Sequence, residues 1–247
     1  MTYEQSVRRH LQRWQKKILK PSGLVEKSSK KLQERVNQMI PRKVYDAITT
    51  TIKGLIKAVL FGLNFVPKGE PQMGLTLQER DAQGQLLLKK YKRIAAAEGA
   101  GTGAGGIVLG IADFPVLIVI KMKFLFELAH VYGFSTYDYT ERLYLLYVFQ
   151  LAFSSQEKRP VLFYELQHWQ EVVARFPEER SLEQINWEQF QQEYRDAIDF
   201  RKMLQMIPGL GAVIGAWANY GLLDDLGETA INCYRLRILK EGGPEHD

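Results

Sequence analysis

The sequence predicts an all-α fold, a multi-helix bundle with two glycine-rich helical hairpins packed centrally. Three observations predict it. Apolar residues recur at spacings of three and four along most of the chain, and no stretch alternates with period two for long. Capping residues and Pro/Gly breakers punctuate that pattern at helical lengths. The 247 residues are 46% apolar and 25% charged with a mean hydropathy of −0.23, the balance of a globular chain rather than a disordered or polytopic one. We divide the chain into a basic amphipathic arm (1–63), a Pro/Gly-rich connection (64–75) and a helical core (76–247), together one structural unit.

The elements follow in order. Tyr3, Val7, Leu11, Trp14 and Ile18 make one helical stripe, which Pro21-Ser22-Gly23 ends. A second basic helix runs to about Ile40, and a third from about Arg42 to Gly62 carries Ile48, Ile52, Leu55, Ile56 and Val59. After the connection, Thr76-Leu77-Gln78-Glu79 reads as a capping box opening a helix to about Glu98. A glycine-rich helix is expected over 99–111. Asp113 then serves as N-cap, with Pro115 in the first turn of a helix over 114–132 and Gly133 at its C′ position. Ser135 or Thr136 starts a helix rich in Tyr, Leu and Phe that ends near Ser154-Ser155, and Pro160 opens another to about Phe176. Asn186 caps a helix to about Ile207, Pro208-Gly209 breaks it, and Asp224 or Asp225 begins the last helix.

Charge is uneven. Residues 1–43 hold twelve Lys/Arg against three acids, a local +9, so the remainder carries −4 of the chain's net +5. Such asymmetry points to an anionic partner. Arg8, Arg9, Arg13, Lys16, Lys17 and Lys20 surround the stripe containing Trp14, the makeup of a helix lying on an anionic membrane surface. Equally, the stripe can dock on the protein's own core and leave the charges solvated. Nucleic acid is not the expected partner, because the arm has few aromatics and no recognised module. The N-terminus shows no apolar run of a secretory signal, and the single Cys233 fits a core residue in a reducing compartment.

Six glycines lie between 99 and 110, and Gly99, Gly103, Gly106 and Gly110 share one helical face. Each costs roughly 0.5–1 kcal/mol against Ala in a helix interior, which close approach of another helix can offset. Gly211 and Gly215 repeat the pattern, and Ala112-Asp113-Phe114 parallels Ala218-Asn219-Tyr220, so the two glycine faces are expected to pack together. Gly101, Gly103 and Gly106 satisfy GxGxxG, but no strand precedes them and no Lys-Ser/Thr follows, which excludes the nucleotide-binding loops. Both segments approach membrane-spanning length but are interrupted by Asp113-Phe114-Pro115 and Pro208-Gly209. They are re-entrant hairpins or buried core helices, and overall hydropathy favours the core.

Four segments carry a resemblance. AAAEGAGTGAGGIVLGIADFPVLIVIKMKFLFELAHVYGF (95–134), ERLYLLYVFQLAFSS (141–155), QQEYRDAIDFRKMLQMIPGLGAVIGAWANYGLLDDLGETAINCYRLRIL (191–239) and IPRKVYDAITTTIKGLIKAVLFG (40–62) resemble the EcsC family over most of the chain. The resemblance implies a Gram-positive bacterial origin and a gene neighbourhood shared with an ABC-type transporter made of an ATPase and a membrane subunit. It implies no reaction and no catalytic residues.

Chemistry-bearing clusters are few. Glu127/His130 and Glu165/His168 are Glu-x-x-His pairs of the kind that di-iron bundles use. Their simpler reading is surface pairs, with Lys123 beside Glu127. Glu98, Asp113, Asp196 and Asp199 are the candidate acids of a carboxylate site. Asp113 would matter as a buried acid near Glu98, Lys121 or Asn219. Asp196 and Asp199 are otherwise expected to pair with Arg195, Arg201 and Lys202. No metal or other cofactor is expected. The function expected is a non-enzymatic accessory, peripheral to the cytoplasmic membrane face and partnered with ABC transporter subunits. A small-molecule hydrolase or metal-dependent enzyme, and a lipid or hydrophobic-peptide binding module, are the alternatives.

Overall fold

The computed structural model describes residues 2–20, 42–60, 69–102, 106–175 and 215–241. These form eight helices: α1 (Tyr3–Ile18), α2 (Arg42–Leu60), α3 (Leu77–Thr102), α4 (Gly106–Val131), α5 (Tyr139–Phe153), α6 (Arg159–Gln167), α7 (Trp169–Ala174) and α8 (Gly215–Glu241). The fold is all-α, as the periodicity predicts. No helix among the described residues is long and apolar enough to cross a membrane.

Two reciprocal capping boxes start α1 and α3. Thr2 and Gln5 exchange hydrogen bonds at the first, and Thr76 and Glu79 at the second, where the Glu79 carboxylate accepts from the Thr76 backbone at 2.8 Å. The end of α4 is a Schellman motif, with Phe134 N–H on the Ala129 carbonyl, Gly133 N–H on the His130 carbonyl, and Gly133 at φ +88°. Arg80 crosses from α3 and donates to the buried Val131 carbonyl at 3.1 Å, placing a cation at the negative end of α4.

Packing centres on α3, α4, α5 and α8. Helix α3 runs antiparallel to α4, since Arg80 meets Val131 and Tyr91 meets Phe124. It also runs antiparallel to α8, since Asp81 meets Arg235 and Lys92 meets Asp224. Helix α5 lies against α8 and is buried on every side from Glu141 to Phe153, as a helix apolar all round must be. Helix α2 covers α4 and α5, and Arg142 of α5 donates to its last carbonyl, Leu60 O, at 3.0 Å. Helix α1 lies on α6 and α8.

Three boundaries differ from the expectation. Asp113 is not an N-cap: α4 runs unbroken through it from Gly106, with Pro115 inside. A proline there removes one i→i−4 bond at a cost of about 3 kcal/mol. Burial of Phe114, Leu117, Ile118 and Met122 on the same helix offsets that cost. Of the glycine helix expected over 99–111, residues 103–105 lie outside the described residues. Gly99 lies in the last turns of α3, and Gly106 and Gly110 in the first turns of α4. Asp224 and Asp225 likewise lie within α8, which begins at Gly215. Gly103, Gly211 and the helix expected from Asn186 lie outside the described residues, and the packing of the two glycine faces lies outside the described side chains.

Candidate functional site

Helix α1 is the element with a legible surface. Its stripe turns inward: Val7, Leu11, Trp14 and Ile18 are at most 5% exposed, and the Trp14 ring meets Phe163 of α6 edge-on at 5.6 Å. Trp14 is therefore core and not a membrane-surface residue, which corrects the lipid-facing stripe. Arg9, Arg13 and Lys16 sit two positions beyond Val7, Leu11 and Trp14, about 200° round the helix, and are exposed. Lys20 continues their row just past the helix end. The other two cations bind the protein's own body. Arg8 donates to the Leu239 carbonyl at 3.5 Å, and Lys17 pairs with Glu228 at 3.1 Å, both exposed.

Beside α1 lies a cleft of about 820 Å³ between α1, α6, α7 and α8. Its walls are Leu11, Tyr144, Phe163, Leu166, Trp169, Leu236 and Leu239, and its edges carry Arg8, Lys240, His168 and four glutamines, with Glu171 the single acid. The break that shapes this cleft is His168, at φ −111° and ψ 46° between α6 and α7. It replaces the continuous helix expected from Pro160 and seats Trp169 on Tyr144 at 4.9 Å.

Two buried carboxylates dominate the interior, and neither was a sequence candidate. Asp81 on α3 accepts from Tyr3 and Tyr132 hydroxyls at 2.5 Å each and from Arg235 at 3.0 Å. Glu141 on α5 accepts from the Tyr234 hydroxyl and from Arg237, both at 2.6 Å. Arg237 also stacks over Phe134 and Tyr144, at 4.0 and 4.9 Å. The stacked rings of Tyr132 and Tyr234, 5.1 Å apart, join the two networks. Burial pushes the Glu141 carboxyl up, against the pull of Arg237 and Tyr234, while burial and then Asp81 push Tyr3 up to about 12. Each carboxylate meets a guanidinium and a phenol, so these networks join α1, α3, α4, α5 and α8. The available signal for Glu141 was an acid near the start of a helix rich in Tyr, Leu and Phe.

The sequence-predicted acids do not converge. Glu127 accepts from Tyr91 at 2.7 Å and pairs with Lys90 of α3 at 3.3 Å, while His130 shares a 2.8 Å hydrogen bond with Thr136. Glu165 pairs with Arg175 at 3.1 Å, and His168 stacks on Tyr164 and donates to its carbonyl at 2.9 Å. The two Glu/His pairs thus turn to separate partners, and among the described residues no three His, Cys, Asp or Glu side chains gather. The side chains of Glu98 and Asp113, and Asp196 and Asp199 altogether, lie outside what is described.

A sequence model described as the EcsC protein family matches residues 5–239. The chain belongs to the EcsC family. It is 43% identical to Protein EcsC of Bacillus subtilis (strain 168) over 245 residues, which is 99% of this chain and 100% of that one. It is 25% identical over 214 residues to an uncharacterized protein of the same organism, YdbA, covering 85% of this chain and 70% of that one. No solved structure matches.

Proposed function

We propose that this EcsC-family protein is a non-enzymatic accessory that rests peripherally on the cytoplasmic membrane face, beside an ABC-type exporter. One observation carries the membrane part. The apolar stripe of α1 is taken up by the core, so Arg9, Arg13 and Lys16 project together from a fixed helix. A basic row held on a rigid body adsorbs to anionic lipid with little ordering cost, each charge contributing about 1 kcal/mol near the surface. The exporter setting rests on the family resemblance.

Flotation with vesicles containing phosphatidylglycerol tests this reading. The protein should float with anionic vesicles at low salt, stay down with phosphatidylcholine vesicles, and dissociate as salt rises. Arg9→Glu, Arg13→Glu and Lys16→Glu together should abolish flotation. Binding indifferent to lipid charge would overturn the proposal.

A further inference from the structure

We infer that the cleft between α1, α6, α7 and α8 is a binding site for one long-chain fatty acid anion. The inference goes beyond surface adsorption, since it places a single molecule inside the fold. At about 820 Å³ the cleft falls within the roughly 300–1,000 Å³ of small-ligand sites, room for one chain and its head rather than a two-chain lipid. Leu166, Phe163, Trp169 and Leu236 give it apolar walls. The one cation of its floor, Arg237, is already neutralised by Glu141 at 2.6 Å.

The edge selects the head. Arg8 and Lys240 stand on the two sides of the opening, both exposed, and each donates to a backbone carbonyl of the cleft edge: Leu239 O at 3.5 Å and Gln167 O at 2.7 Å. Neither has an ion pair among the described residues. Arg8 presents a planar fork suited to a carboxylate, and Lys240 adds a second positive charge. Against them stands only Glu171. An apolar slot with a cationic mouth is complementary to an amphiphile of negative head.

The test uses the full chain freed of bound lipid, with cis-parinaric acid as fluorescent probe and oleate as competitor below its micellar concentration. One probe should bind per chain, and oleate should displace it. Oleylamine, which pairs the same unsaturated chain as oleate with a cationic head, should not. Arg8→Glu with Lys240→Glu should weaken probe binding by roughly tenfold or more, the worth of a charge-assisted hydrogen bond. Leu236→Trp, which fills the slot, should abolish it with thermal unfolding unchanged. Should that variant misfold, the two exposed charge reversals still decide. The Arg9, Arg13 and Lys16 reversal should keep the one-to-one binding even where flotation is lost, so the two proposals fail separately. Displacement by the cationic amphiphile, many probes per chain, tighter competition by an apolar peptide with a free C-terminus, or no effect of either cleft variant would overturn the inference.

Discussion

Lys121 on α4 has no exposed surface, and burial lowers its pKa to about 7. The unfolded chain holds that proton up to about 10.5, its ordinary value. Between these two pH values the unfolded state binds the extra proton, so stability rises with pH. The rise ends near pH 9. Above it, burial of Cys233 and of the Tyr3, Tyr91, Tyr132 and Tyr234 hydroxyls, all with raised pKa, makes the folded state the better proton holder, and stability falls. Urea unfolding should show a gain on the order of 2–3 kcal/mol from pH 7 to 9, and Lys121→Met should flatten it. A wild-type profile already flat over that window contradicts the argument. Residues of this kind were the least legible in the sequence. Asp81 and Glu141 became central only because Arg235 and Arg237 reach them from α8, some 150 and 100 positions away. A local window contains neither partner, and it drew attention instead to Asp113, whose neighbours suggested a cap.

Elements were legible where periodicity and capping agreed. The stripe of α1, the Thr76 box and Gly133 are all local signals with local consequences, and each lies where it was expected. Asp113-Phe114-Pro115 and Asp224-Asp225 misled because cap preference is statistical while burial along a whole helix is not. Asp224, for instance, is used from within α8 to pair with Lys92 at 2.5 Å. Glycine within helices separates the two kinds of information. On α8, a Cβ at Gly227 would lie 2.6 Å from two Leu88 carbons, whereas one at Gly221 meets nothing within 4 Å. Gly227→Ala should therefore destabilise by about 1–3 kcal/mol through overpacking, with Leu88→Ala relieving part of it in the double variant. Gly221→Ala should stabilise by about 0.5–1 kcal/mol. Equal effects at the two sites, read from chemical unfolding midpoints, would show that α8 does not approach α3 as closely as described.

At the scale of the molecule the question is whether α1 is an arm or a wall. Its composition reads as an arm, because the positive excess of the chain is gathered at that end. Its packing makes it a wall. Val7, Leu11, Trp14 and Ile18 are buried among α6 and α8, and Tyr3 donates into the Asp81 network. Burying four such side chains contributes roughly 1.5–3 kcal/mol each, a sum comparable to the whole stability of a typical domain, about 5–15 kcal/mol. Removing residues 2–20 should then abolish cooperative unfolding and expose Phe163 and its neighbours to a hydrophobic dye, rather than leave a folded protein that merely fails to reach lipid. The charge reversals at Arg9, Arg13 and Lys16 make the complementary case. These side chains are exposed, so the melting temperature should hardly move while vesicle binding is lost. A truncated chain that melts as sharply as the full one would return α1 to the status of a detachable arm and remove one wall of the cleft without consequence for the fold.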